Sequence, residues 1–301
     1  MKTAERQVNG RKSNALLWGA VLALCLLTFK VPLGYAQGAE KVGMGGRDSS
    51  SLVDMGIADG KRGNWDGAIT NLKKAAELEP KQVNILINLS VAYAEKKDFD
   101  SAIVYADKAI QADSKKAAAY VAKGYAYLGK GDEASGVAAF GRGISAEPRN
   151  PDAYLALGNL HTEKGRLDSA IASYQQAIKA DEKSVFAYSN IAYIYESKKN
   201  YPKAKEYLEK AAKISPQDAV VWYDLGEIYG KEGDEAKSIQ YYEKSYSIDP
   251  RYYKACMSLA MAYEKKRNLE KSAEFYVKSL SLTEDPKVKE AILRQITRTS
   301  D

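Results

Sequence analysis

One histidine, two cysteines and eight prolines in 301 residues close off several classes of protein at once. A single imidazole cannot build a metal site that needs two or three histidines. Two cysteines cannot build a CxxC…CxxC zinc site or a disulfide framework. The chain also has no P-loop, no GxGxxG following a strand, and no stretch that reads as a strand at all. What is present is the composition of a folded chain. With 45% hydrophobic and 28% charged residues, neither wholesale disorder nor a multi-span membrane protein is expected. The length allows about two ordinary domains.

Residues 1–36 read as an address. Lys2, Arg6, Arg11 and Lys12 precede an unbroken apolar run from Ala15 to Phe29, ended by Lys30 and Pro32. Gly34 and Ala36 place small residues at −3 and −1 before Gln37, the layout of a secretory signal peptide. The run is shorter than the ~20 residues that span a bilayer comfortably. An uncleaved N-terminal anchor in the inner membrane is the alternative. Lipidation at Cys25 is disfavoured, because Leu24 stands where a lipobox needs a small residue. The leader also holds five of the 45 basic residues and one of the 39 acidic ones, so the remainder carries only 40 against 38. The basic balance belongs mostly to the leader, and nucleic acid is not an expected partner. Residues 37–48, with four glycines, read as a flexible tether.

Everything after the tether repeats. Ala68-x3-Leu72-x2-Ala75-x4-Pro80 returns in related form at Ala102/Ala106/Ala109, Ala170/Tyr174/Ala177, Ala204/Leu208/Ala211/Pro216 and Ser238/Tyr242/Ser245/Pro250. Each spacing is 34 residues or a multiple of it. Setting that first alanine at position 20 gives seven gapless units: 49–82, 83–116, 117–150, 151–184, 185–218, 219–252 and 253–286. Positions 4, 7, 8 and 11 share one helix face, and positions 20, 24 and 27 share a face of a second helix. Positions 8 and 20 are mostly small (Gly56, Ser90, Gly124, Gly158; Ala68, Ala102, Ala170, Ala204), so the two backbones can approach closely. Pro80, Pro148, Pro216 and Pro250 all fall at position 32, between units, where no helix interior is interrupted.

The unit resembles the tetratricopeptide repeat. Trp222-x2-Leu225-Gly226-x2-Tyr229 carries the first-helix signature in full, and Tyr120/Gly124/Tyr127 and Tyr154/Leu157/Gly158 carry parts of it. The resemblance implies an all-α, right-handed α-solenoid of seven helix-turn-helix repeats, with first helices lining a concave surface. Residues 287–301, with Val288, Ala291, Ile292 and Ile296 on one side, read as a capping helix.

Chemistry has little room in that frame. His161 occupies position 11, where other copies have Tyr93, Tyr127, Tyr195, Tyr229 and Tyr263, and so reads as a ring packed on the second helix. Cys256 takes the bulky position 4 of the last repeat as core filler. No catalytic residue, metal ligand or cofactor is expected. In repeat three, Gly136 and Gly143 replace the small alanines, with Gly141 between them. Either they soften that helix, at ~1 kcal/mol each relative to alanine, or close packing simply tolerates them. Softness would show as a higher melting temperature on Gly136→Ala and Gly143→Ala.

The resemblance places positions 2, 5, 9 and 12 of each first helix on the concave surface, and polar groups at position 6 punctuate it. Those positions supply the candidate partner-binding residues Ile87, Asn88, Val91, Tyr125, Leu155, Asn159, Phe186, Asn190, Tyr193, Tyr223 and Glu227. Tyrosines that both pack and donate hydrogen bonds are favoured at interfaces, and the amides can bond an extended peptide backbone. For the aliphatic members, packing between neighbouring first helices explains the pattern equally well. Position 5 never carries lysine, so the carboxylate clamp of chaperone-tail-binding members is absent. The implied function is a non-enzymatic interaction scaffold of the cell envelope, holding a peptide or helix of a protein partner during assembly of a pilus, secretion or polymer-export complex. The alternative is a self-associating structural protein whose groove is filled by a neighbour or its own tail.

Overall fold

The computed structural model describes residues 48–300. The expected leader and nearly all of the expected tether lie outside the described residues. Within them the chain is all-α, with fifteen helices and no strand. Seven pairs follow the 34-residue frame. They are α1 (Ser49–Lys61) with α2 (Trp65–Leu78), α3 (Val83–Glu95) with α4 (Phe99–Ala112), and α5 (Ala117–Gly129) with α6 (Glu133–Ala146). Next come α7 (Asp152–Glu163) with α8 (Leu167–Ala180), α9 (Val185–Ser197) with α10 (Tyr201–Ile214), and α11 (Ala219–Glu232) with α12 (Glu235–Ile248). The last pair is α13 (Tyr253–Lys265) with α14 (Leu269–Ser281), followed by α15 (Pro286–Ser300). The closing helix begins one residue before the sequence pattern suggests. Asp285 accepts from Lys287 N at 2.9 Å, and a proline in the first turn has no N–H to leave orphaned. The described residues divide into two compact units, with the boundary between Arg166 and Leu167.

The turn inside every repeat has one construction. Position 15 is left-handed in all seven copies: Gly63, Lys97, Gly131, Gly165, Lys199, Gly233 and Arg267 have φ between 58 and 90°. The next residue then donates its N–H to the carbonyl five residues back, as Asp98 to Tyr93 and Asn268 to Tyr263, both at 2.9 Å. That closes the first helix with the bond pattern of a Schellman motif. In six of the seven copies the same residue is Asn or Asp and caps the second helix. Asn64, Asp98, Asp132, Asn200, Asp234 and Asn268 each accept from the backbone N–H three residues on, at 3.0 to 3.3 Å. Arg166 breaks the pattern in repeat four.

Packing within the pairs α1–α2, α5–α6 and α11–α12 depends on missing side-chain volume. A Cβ on Gly56 would lie 2.7 Å from Leu72 Cγ, one on Gly226 2.6 Å from Tyr242 Cδ1, and one on Gly124 2.3 Å from Phe140 Cε1. The large side chain at position 24 thus sits on the bare backbone at position 8. Serine is tolerated at buried small positions where it finds an acceptor: Ser245 donates to Ala219 O at 2.6 Å and Ser272 to Ala260 O at 2.9 Å. Tyrosines at position 11 stack on position 23 of the second helix, as expected, in Tyr93–Tyr105, Tyr195–Tyr207 and Tyr229–Tyr241 at 5.2 to 5.7 Å. Ion pairs such as Lys130–Asp100 and Lys198–Asp168, each 2.5 Å, join successive repeats. They are largely exposed and add little.

The softness of repeat three is not supported. A Cβ on Gly136 would fall 2.7 Å from Leu128 Cδ2 and 3.2 Å from the Gly124 carbonyl, and one on Gly143 would lie 3.3 Å from Ala153 Cβ. These glycines are there for close approach, and alanine at either gives no gain. Gly141 has open space instead. Gly141→Ala is therefore expected to raise stability by about 0.5–1 kcal/mol in denaturant titration, while Gly124→Ala lowers it by about 1–3 kcal/mol through overpacking against Phe140. Exposed Lys97, Lys199 and Arg267 hold left-handed backbone that costs a side-chain-bearing residue about 1–2 kcal/mol. Replacing Lys199 by glycine should move the unfolding midpoint upward, and replacing Gly131 by alanine should move it downward.

Candidate functional site

Side-chain size along the first helices separates the two units. In the first, α5 presents Ala118, Ala119 and Ala122, and α3 packs directly against it through Leu86, Ile87 and Val91. α5 and α7 meet through Val121, Tyr125, Ala153 and Ala156. Positions 5, 6 and 9 of α3 and α5 are consumed by that packing. Ile87 is 2% exposed, Val91 3%, Asn88 5% and Tyr125 7%. The expectation that these four line an open groove is therefore corrected. Alanines let the helices close, and the residues opposite became core. Tyr125 packs edge-on against Phe140 at 5.3 Å and accepts from Asn159 Nδ2 at 3.4 Å. Leu155 and Asn159 are half-buried on α7.

In the second unit α9, α11 and α13 show no comparable backbone approach. Bulky side chains stand on that face: Phe186 at position 2 and Tyr193 at position 9 of α9, Tyr223 at position 5 of α11, and Met257 and Met261 at positions 5 and 9 of α13. Tyr193 and Met261 are 57% and 58% exposed. Phe186, Asn190, Tyr223 and Glu227 are half-buried around them. The amide of Asn190 is partly spent on its own helix, donating to Phe186 O at 2.8 Å. The second unit thus retains an open first-helix face where the first has closed one.

That face has a carboxylate and tyrosine cluster at α11. Tyr223 lies perpendicular to Tyr252 at 5.4 Å and tilted on Tyr242 at 5.5 Å. Tyr242 donates to Glu227, and Glu196 pairs with Lys231. Burial, with the nearby Glu196, Glu227 and Asp218 carboxylates adding to it and Lys254 opposing, pushes the Asp224 carboxyl up to about 7. Burial likewise raises Tyr223 to about 12, with Ser258 opposing and Glu227 adding. Neither Tyr252 nor Glu196 is among the candidates read from sequence. Tyr252 carried a signal all the same, since it stands at position 34, where other copies have Gln82, Lys116, Asn150, Ser184, Asp218 and Pro286. No sequence signal marked Glu196.

A second concavity lies between α13 and α15. It encloses about 700 Å³ and is lined by Met257, Met261, Val288 and Ile292, with Tyr276 of α14 and Glu264 among its polar groups. The closing helix packs mainly on α14, which leaves a gap beside α13.

The described residues include one histidine and one cysteine. His161 is half-buried with no hydrogen-bond partner at Nδ1, and burial holds its pKa below the ordinary value. Cys256 is fully buried, and burial pushes its thiol up, away from a reactive thiolate. Among the described residues no group of His, Cys, Asp and Glu is placed to hold a metal ion, and no helix is long and apolar enough to cross a membrane.

Helix pairs on a fixed 34-residue frame, each closed by the same turn and stacked through small residues, define an all-α repeat protein. Models of the tetratricopeptide repeat match residues 53–117 and 121–185, 185–251, and 253–286, and the chain belongs to that family. The sequence has no significant match among curated proteins. Similar solved structures include yeast Tom70, with TM-score 0.70 and 19% identity over 84% of this chain; the match spans 53% of the Tom70 chain. Pseudomonas aeruginosa PilF matches 71% of this chain and 97% of its own, with TM-score 0.56 and 16% identity. A tetratricopeptide repeat protein from Parabacteroides merdae matches 85% of this chain and all of its own, with TM-score 0.51 and 17% identity. At these identities the likeness shows the fold. Repeats of this family generally mediate protein–protein interaction and are typically non-enzymatic.

A folded-state pKa near 7, against an ordinary 3.8, means that the folded chain holds a proton the unfolded chain releases between those values. Stability therefore falls as pH rises through about 7. Asp224→Asn removes that dependence. The variant is expected to melt above the parent at pH 8, with the gap closing toward pH 5, in thermal unfolding followed by circular dichroism.

Proposed function

We propose that the protein is an exported, non-enzymatic scaffold that holds a peptide or helical segment of a cell-envelope protein on the first-helix face of α9, α11 and α13. The observation that carries this reading is the exposure of Tyr193 and Met261 on a face whose counterpart in the other unit is packed shut. A large aromatic and a large thioether left in water, flanked by half-buried tyrosine and polar groups, are what an interaction surface presents. Export rests on the basic start, apolar run and small-residue cleavage pattern of residues 1–36. Attachment to the membrane would come only through that segment, if it stays uncleaved. Assembly of a pilus, secretion or polymer-export complex fits a scaffold in that compartment.

Crosslinking mass spectrometry on the tagged chain in its own cells, beside Tyr193→Ala, tests the reading. Tyr193 is exposed, so the substitution should leave stability within about 0.5 kcal/mol of the parent. A heterologous envelope protein whose crosslinks fall at least fivefold in the variant is the expected result. Crosslinks confined to cytoplasmic proteins would overturn the export reading, and unchanged crosslinks would move the binding surface elsewhere. Crosslinks only between copies of the chain would replace the partner with self-association.

A further inference from the structure

We propose that the cleft between α13 and α15 seats a bulky apolar side chain from an acidic segment of the partner. The inference rests on the first-helix face being a partner-binding surface, and adds the chemistry recognised at its closing end.

Size and lining come first. About 700 Å³ is the room a ligand pocket offers, enough for one or two large side chains. Its apolar walls are Met257 and Met261 on one side, Val288 and Ile292 on the other. Methionine adapts to the shape of what binds, which suits a cleft that takes a side chain from another protein. Met261 is 58% exposed, so the wall is in water as the structure stands. Ile292 is 2% exposed and anchors α15 to the core, which makes the far wall a fixed one.

Charge then sets what the apolar side chain should be attached to. Lys265, Lys287 and Arg298 stand around the cleft, against a single acid, Glu264. Glu264 is already engaged: it accepts from Tyr276 Oη at 2.8 Å and faces Arg298 at 3.8 Å. Lys265 pairs with Glu235 of α12. Lys287 is exposed and forms no ion pair among the described residues. The rim therefore keeps an excess of positive charge beside an apolar floor. An acidic segment is attracted to it, and a basic one is repelled.

The test uses phage-displayed random 12-residue peptides selected on the purified full chain, followed by synthetic copies of the winners. Peptides with Leu, Phe, Met or Trp close to Asp or Glu are expected. Met261→Glu should weaken them at least tenfold while leaving the circular dichroism melting curve in place. Lys287→Glu should weaken them severalfold, and exchanging the peptide's acid for lysine should restore binding to that variant alone. Peptides that bind but are basic, or that ignore Met261→Glu while being lost in Tyr193→Ala, would overturn the cleft and leave the wider face standing. Recovery of no binding peptide would overturn both. A dimer dissolved by Met261→Glu, with no peptide selected, would give the cleft to a second copy of the chain instead.

Discussion

Each repeat hangs on one backbone hydrogen bond, from the N–H of position 16 to the carbonyl of position 11. It forms in all seven copies, from Asn64 to Asp59 through Asn268 to Tyr263, and it requires a left-handed residue at position 15. Once made, it sets where the first helix stops and, through the Asn or Asp side chain beside it, where the second begins. The turn brings positions 8 and 24 together in the pairs α1–α2, α5–α6 and α11–α12. Glycine meets the conformational demand in four copies, and Lys97, Lys199 and Arg267 bear it with some strain. A repeat cannot bury its apolar stripe alone, so these local turns become a fold only when neighbours stack.

Stacking leaves one quantity free, the distance between neighbouring first helices. Alanine at Ala118 and Ala122 lets the backbones close over Ile87 and Val91. Phe186 and Asn190, Val220 and Asp224, and Lys254 and Ser258 occupy the equivalent positions of the other unit, and its first helices make no such approach. The same scaffold therefore yields a sealed face where small residues meet the neighbouring helix and an open one where larger or charged residues stand in their place. Packing around α11 has an electrostatic consequence. Burial of Asp224, with three other carboxylates adding to it and Lys254 opposing, moves its carboxyl toward neutrality. At the closing end the cations of α13 and α15 reverse the sign.

The 34-residue period, the small residues at positions 8 and 20, and the placement of proline between units determined the helices, their order and their partners. Those are near-neighbour matters, in which a residue type and its spacing carry the physical requirement directly. The turn at position 15 did not enter that pattern, since glycine marks only four of its seven copies. The candidate site was legible only in part. Position within a repeat says which way a side chain points, and by that rule Tyr125 and Tyr193 are equivalent. One is buried against Phe140 and the other stands in water. Their difference comes from the helix next door, where Ala153 and Ala156 pack against Tyr125 and the larger Val221 and Asp224 stand at the same positions beside Tyr193. Glu196 joins Asp224 for the same reason, through a neighbour 28 residues away that no local pattern names. The cleft beside α15 also exists only once that helix has chosen α14 to pack against. Periodicity by itself determined the repeat, whereas the spacing between repeats, and with it every surface open to a partner, was decided by tertiary packing.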